Sequence, residues 1–294
     1  MAKSIVIAVD TAERTPDAIA LGRVLAASTG APTKLVTVLP HAPLIGKGEQ
    51  PELVRVREEA GETLSGLGRE MGLADATVEV VAGNFAAREL QHVTERADTG
   101  MIVVGSTTRG PIGRLVIGGV GERLLAGAAS PVAIAPRDYR DAAPPRLTRI
   151  GVGVDGSDEA QRALEAAVAL ARECGAAIRV ITAFQPLAFG GVTTTALPST
   201  SANEAMRAQL GGRHENAVAA ARKSVDATGV FRDGPADEVL LEASAGLDLL
   251  VTGSRGYGPL GAVLMGSATT ALARGAACPL LVTPRGTRFD LLDG

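Results

Sequence analysis

Ile5-Val-Ile-Ala-Val-Asp10 returns 145 residues later as Ile150-Gly-Val-Gly-Val-Asp155. Each copy is a short apolar, β-branched run that closes on an aspartate, which is how a strand buried on both faces of a parallel sheet reads. The echo continues along the chain. Ile102-Val-Val-Gly-Ser106 returns as Leu250-Val-Thr-Gly-Ser254, and Ser130-Pro-Val-Ala-Ile-Ala-Pro-Arg137 as Cys278-Pro-Leu-Leu-Val-Thr-Pro-Arg285, both 148 residues on. So long a period lies outside solenoid repeats, so each copy is a whole domain. The expected division is a first domain over 1–137, a linker over 138–148, a second domain over 149–286 and a tail over 287–294. Ala142-Ala-Pro-Pro-Arg146 makes the linker short and rather stiff.

Outward from the repeated segment, strands and helices alternate. The first copy predicts strands, each buried on both faces, at Ser4–Val9, Thr33–Val38, Thr77–Val81, Met101–Val104 and Val132–Ala135, with helices near Pro16–Ser28, Glu52–Gly72, Ala86–Ala97 and Val120–Ala128. The second predicts strands at Arg149–Val154, Ala177–Ala183, Val230–Arg232, Leu249–Thr252 and Leu280–Thr283. Its helices fall near Glu159–Glu173, Asn203–Thr228, Ala236–Ala245 and Ser267–Arg274. The fold class is therefore α/β, two tandem doubly wound five-stranded parallel-sheet domains of Rossmann-like type. Such sheets bind ligands beyond the carboxyl ends of their strands, so the residues just after each strand hold the function.

Composition removes several classes of function. The 294 residues suit about two domains at ~150 residues each. A formal net charge of -3 leaves no polyanion-binding tail, and 2% aromatics with no Trp removes the stacking surfaces that single-stranded nucleic acid needs. No apolar run approaches the ~20 residues of a membrane span, and the first 30 residues lack signal-peptide order, so no membrane insertion and a cytoplasmic location are expected. Cys174 and Cys278 stand far apart without a CxxC, which predicts buried thiols and neither zinc nor a disulfide framework. His41, His92 and His214 are scattered and read as solvated surface positions. No metal site is expected.

Glycine, at 36 residues, is in excess, and its placement is informative. After the first strand of copy two comes Asp155-Gly156-Ser157-Asp158, which reads as a tight turn with Ser157 or Asp158 capping a helix. After the fourth strand come Gly253-Ser254-Arg255-Gly256, nine residues, and Gly266-Ser267-Ala268-Thr269 opening the last helix. Glycines let main-chain amides approach an anion, and a helix N-terminus carrying hydroxyls adds donors and a favourable dipole, so this set reads as phosphate binding. Better-known motifs fail on context. Gly151-Val-Gly-Val-Asp-Gly156 spells GxGxxG with its first two glycines inside the strand, and Gly256-Tyr-Gly-Pro-Leu-Gly261 has no helix opening inside it. Only Lys47 follows a glycine, and Gly48 stands after it where a P-loop needs Ser or Thr. Thr252-Gly-Ser-Arg-Gly256 misses the nucleophile elbow at its first glycine and has no convincing His partner. Asp10 and Asp155 occupy equivalent strand ends, which favours a binding contact over a catalytic dyad. With no evident base, nucleophile or metal cluster, chemistry is poorly supported.

Taken together, Val152-Gly-Val-Asp-Gly-Ser157, Gly234-Pro235 before the third helix, Gly253-Ser-Arg-Gly256, Gly266-Ser267 and the closing Cys278-Pro-Leu-Leu-Val-Thr-Pro284 resemble the universal stress protein family. The resemblance covers nearly the whole chain as two tandem domains. It implies strand order 3-2-1-4-5 and, in one branch, ATP binding, for which Mg2+ is the expected companion. By position, Asp155 would contact the nucleoside end and the backbone near Ala183 the adenine edge. Gly253, Arg255, Gly256, Gly266, Ser267 and Thr269 would hold the phosphates. In the family the fifth strands commonly pair domains, which implies an internal pseudo-dimer; a homodimer of chains and an unidentified protein partner are further expectations.

Copy one departs from the pattern. It keeps Asp10, Val38, Gly105 and Gly118 at the matching positions. Thr108 replaces the second glycine, Gly119 the Ser, Gly121 the position of Thr269, and Thr11-Ala12 the Gly-Ser turn. Lost hydroxyl donors should weaken nucleotide binding there, so the halves are expected to be unequal. Three functions compete. The first is a non-enzymatic ATP-binding stress-response regulator with at most weak hydrolysis. The second is an enzyme, a slow ATPase or nucleotidyl transferase, although neither HxGH nor SGGxDS occurs. The third is a nucleotide-free dimerisation module. Gln185–Asn203, which leaves the second strand at the ligand edge, is expected to be a nucleotide-dependent flap, with a lesser equivalent at His41–Pro51.

Overall fold

A computed structural model describes residues 2–10, 15–39, 51–106, 118–186, 200–254, 267–284, 289 and 291. Its first-half strands are β1 (Ser4–Ala8), β2 (Thr33–Leu39), β3 (Thr77–Ala82), β4 (Thr99–Gly105) and β5 (Val132–Ala135). In the second half they are β6 (Arg149–Gly153), β7 (Ala177–Phe184), β8 (Ala227–Asp233), β9 (Leu249–Gly253) and β10 (Leu280–Thr283). Helices α1 (Thr15–Thr29), α2 (Pro51–Glu70), α3 (Ala86–Thr94) and α4 (Gly119–Gly127) alternate with the first set. A short α5 (Tyr139–Ala142) crosses to the second half, where α6 (Asp158–Cys174), α7 (Thr200–Arg222), α8 (Ala236–Ser244) and α9 (Ser267–Gly275) follow.

Each half has the expected order 3-2-1-4-5, and the two sheets are continuous: β3-β2-β1-β4-β5-β10-β9-β6-β7-β8. Pairing within each half is parallel, whereas β5 and β10 run antiparallel, with Ala133 opposite Leu281 and Val132 opposite Val282. Both strands are fully buried four-residue runs, and pairing them removes two apolar edges that would otherwise template other chains. The internal pseudo-dimer is therefore a ten-stranded sheet.

One face of that sheet buries Ile5, Ile7, Val152 and Leu281 under α1, α2, α6 and α7. The opposite face buries Val6, Ile102, Leu250 and Val282 under α3, α4, α8 and α9. Two expectations need correction. The strands at the outer ends are not buried on both faces: β3 is exposed at Thr77 and Ala82 and only partly covered between them, and nothing pairs its outer edge among the described residues. The helix expected to run to Thr228 ends at Arg222, and β8 begins at Ala227. There the Arg222 guanidinium turns back to the Ala227 carbonyl at 2.9 Å, and pairing of Ala227 with Ile178 extends the strand where local pattern favours helix.

The linker is docked. Asp17 of α1 is buried and accepts the Asp138 amide at 2.9 Å and the Arg140 amide at 3.0 Å, so its carboxylate holds the first turn of α5. The Ser28 hydroxyl, at the other end of α1, accepts the Leu147 amide at 2.9 Å. Tyr139 and Leu147 are buried beneath these contacts.

Candidate functional site

In the second half the carboxyl ends of β6, β7 and β9 face the starts of α6, α8 and α9 across a cleft of about 170 Å³. Asp155, Ser157, Ala183, Gly253, Ser267, Ala268 and Thr269 all line it. The Asp155 carboxylate accepts the Ser157 amide at 3.0 Å and its hydroxyl at 2.6 Å, and that hydroxyl accepts the Ala160 amide at 3.2 Å. Ser157 is thus the N-cap of α6, as the turn reading expects, and it also sets the aspartate. Gly156 permits the turn with φ +80°, and a Cβ there would meet Arg213 Cδ of α7 at 2.6 Å. At the far side the Thr269 hydroxyl donates to the Gly253 carbonyl at 3.2 Å, which ties the first turn of α9 to the end of β9. Gly253 is required by packing: a Cβ would stand 2.7 Å from the Glu159 carbonyl of α6.

Gly156, Gly234 and Ser254 adjoin this cleft without lining it. Gly234 donates its amide to the Phe184 carbonyl at 2.9 Å, and the Ser254 side chain is buried. Arg255, Gly256 and Gly266 lie outside the described residues, as does most of the Gln185–Asn203 stretch. Sequence reading passed over Glu159, Thr252, Ala236 and Leu240, which also line the cleft. Thr252 was visible as the residue before Gly253; the others sit on helices whose pattern speaks only of packing. Arg213 carried no signal, because α7 reaches the Gly156 turn only through tertiary packing.

His214 corrects a surface assignment. It is buried, its Nδ1 stands 3.0 Å from the Thr182 hydroxyl, and its ring meets Phe231 edge-on at 5.8 Å. Glycine at 229 makes the room, since a Cβ there would collide with Nε2. Burial holds its pKa below the ordinary histidine value. His92 is exposed as expected, and His41 lies outside the described residues. Both cysteines are free and buried, and burial pushes the Cys278 thiol up to about 12, far from a reactive thiolate. Among the described residues no three His, Cys, Asp or Glu side chains group as metal ligands, and no helix is long and apolar enough to cross a membrane.

The first half has the corresponding cleft, of about 350 Å³, and Asp10, Val38, Gly105 and Gly118 all line it. Gly118 is the N-cap of α4 and supplies no side-chain bond, unlike the Ser157 cap. Thr11, Ala12 and Thr108 lie outside the described residues.

The universal stress protein family model matches residues 1–136 and again 147–284. A Mycobacterium tuberculosis universal stress protein, Rv2005c, is 29% identical over 185 residues, a match that spans 62% of this chain and 61% of that relative. A Thermus aquaticus universal stress protein is 32% identical over 136 residues, 44% of this chain and 92% of its own length. Among solved structures, a universal stress protein from Archaeoglobus fulgidus superposes with a TM-score of 0.64 at 19% identity, covering 96% of this chain and 98% of its own. A functionally unknown protein from Pseudomonas aeruginosa does so with a TM-score of 0.67 at 15% identity, covering 99% and 95%. At these identities the two structures speak for the fold, while the two consecutive family matches decide membership: the chain belongs to the universal stress protein family.

Proposed function

We propose that the second half binds ATP and that the protein acts as a nucleotide-dependent regulator in stress response without being an enzyme in the ordinary sense. The observation that supports this most is the meeting of Asp155, Ser267 and Thr269 at one cleft, where the N-terminus of α9 opens onto three strand ends. Its polar equipment fits a nucleotide. Ser157, Thr252, Ser267 and Thr269 bring hydroxyls to the lining, and the buried Thr252 hydroxyl has no partner among the described residues. Unpaired buried hydroxyls are costly, so a ligand oxygen or amine is a natural partner. The α9 N-terminus favours anionic oxygens through its dipole and free amides.

A cavity of about 170 Å³ falls below the roughly 300–1,000 Å³ of a pocket that encloses a whole ligand, so only part of the nucleotide would be enclosed. The remainder would lie over the open strand edge. When bound, ATP supplies a phosphate chain whose charge can rearrange the surface around it. Asp155 and Glu159 are both acidic, so the phosphates need a compensating cation. Mg2+ carried with the nucleotide and Arg213 beside the Gly156 turn would together meet that need. The carboxylate–hydroxyl pair at the cleft, Asp155 with Ser157, is engaged in capping α6, and positioning supplies most of the rate in phosphoryl transfer, so no catalytic role is proposed for it. Liquid chromatography of nucleotide released when the purified protein is denatured tests the reading: adenine nucleotide near one equivalent per chain supports it, and a protein that neither carries nor takes up ATP refutes it.

A further inference from the structure

The two clefts occupy equivalent places on one sheet, and the side chains that line them differ at matched positions. In the second half Thr252, Ser267 and Thr269 present hydroxyls; the residues at the matching positions are Val104, Gly119 and Gly121. Ala268 between the two hydroxyls is matched by Val120, which is 37% exposed at the cleft. The walls of the first cleft are Val36, Val38, Leu39, Leu90, Val104 and Val120. Among the described lining residues only Thr37 carries a hydroxyl and only Asp10 a charge, and that charge is negative.

The size differs as well. At about 350 Å³ the first cleft has twice the room of the second, enough to enclose a small organic molecule. Phe85, the N-cap residue of α3 directly before Ala86 of the wall, is 65% exposed. The side chains of these walls offer an anion only the Thr37 hydroxyl and place a carboxylate beside it, so the donors left for one are the amides at the start of α4.

We propose that the first-half cleft is a second, separate binding site that takes a neutral, mostly apolar small molecule in preference to a phosphorylated one. The proposal goes beyond the nucleotide reading of the second half and fails independently of it. Loss of the hydroxyl donors is then a change of ligand chemistry and not a decayed nucleotide site.

The test uses the full chain and the probe N-phenyl-1-naphthylamine, which is neutral and flat and fluoresces when it leaves water. Saturable binding is expected, undiminished by excess ATP and by Ser267→Glu. Val120→Glu should weaken it about tenfold or more, because a carboxylate would stand among the apolar walls. The second residue of α4 tolerates an acid, since the helix dipole favours one there, and circular dichroism checks the fold. Should that variant unfold, Val120→Ser replaces it, with a smaller loss expected. Competitive displacement of the probe by ATP would overturn the proposal, as would unchanged affinity in a folded Val120 variant. ATP binding measured on the same samples separates the two readings: its absence refutes the nucleotide site and leaves the probe result standing.

Discussion

The His214 imidazole and the Thr182 hydroxyl, both buried, face each other at 3.0 Å, and the hydroxyl donates onward to the Val154 carbonyl at 2.9 Å. Because that hydroxyl spends its proton on Val154, its oxygen accepts from Nδ1, so the neutral ring carries its proton there. Helix α7 is thereby tied to the residue before Asp155. Burial lowers the folded pKa below the ordinary histidine value of about 6.5. The unfolded chain then binds a proton that the folded one refuses, so this contribution is intact above about 6.5 and is lost as pH falls from there toward the folded value. Denaturant unfolding between pH 7.5 and 5 should show stability falling with pH, and the slope should be shallower in His214→Gln. Equal slopes in the two proteins would contradict the assignment.

Asp17 anchors the linker by accepting two amides of the α5 turn. Asp17→Ala strands both, and bonds to a charged acceptor contribute about 1.5–3 kcal/mol each. The expected loss is about 2–4 kcal/mol in chemical denaturation, since burial of the carboxylate offsets part of the gain. Faster amide exchange confined to residues 138–147 should accompany it. A variant as stable as the parent would show that the docking contributes nothing.

Two glycines of the site have different reasons to be glycine. Gly156→Ala forces a side chain into φ +80° and against Arg213, and should cost about 1–2 kcal/mol while loosening the Asp155 turn. Gly253→Ala meets the Glu159 backbone, which cannot yield as a side chain does, and overpacking of this kind costs about 1–3 kcal/mol. Thermal unfolding ranks the pair, and a neutral Gly253→Ala would mean that β9 and α6 are not so closely packed.

ATP turnover should be very slow or absent, well below the roughly 10 s⁻¹ of a median enzyme. Steady-state phosphate release is the readout. A rate near the median that is lost in Asp155→Asn would make the protein an enzyme.

Strand positions were legible because runs such as Ile5–Val9 and Leu280–Thr283 are apolar without interruption, as fully buried parallel strands must be, whereas the order within each half came from the family resemblance, since such runs do not say which strands are neighbours. The start of β8 was not, since Ala227-Thr-Gly229 carries no strand pattern and is recruited by pairing with β7. Asp155, Ser267 and Thr269 could be read because they follow strands or open a helix. Arg213 and His214 could not. They sit in a polar stretch of α7, and what places one beside the Gly156 turn and buries the other is Gly156, Gly229 and Thr182, all distant in sequence. The difference in size between the clefts was equally hidden, because it depends on how walls from several elements meet.

The most direct test of unequal halves is an ATP titration by calorimetry of the parent, Ser267→Glu and Gly119→Glu. Ser267 opens α9 at the second-half cleft, where a carboxylate would meet phosphate charge at short range. Gly119 holds the matching place in α4, and a Cβ there has open space, so its variant should fold. The expected result is a single ATP site, weakened at least about tenfold by Ser267→Glu and unchanged by Gly119→Glu. Equal losses from the two variants, or two equivalent ATP sites in the parent, would contradict the account.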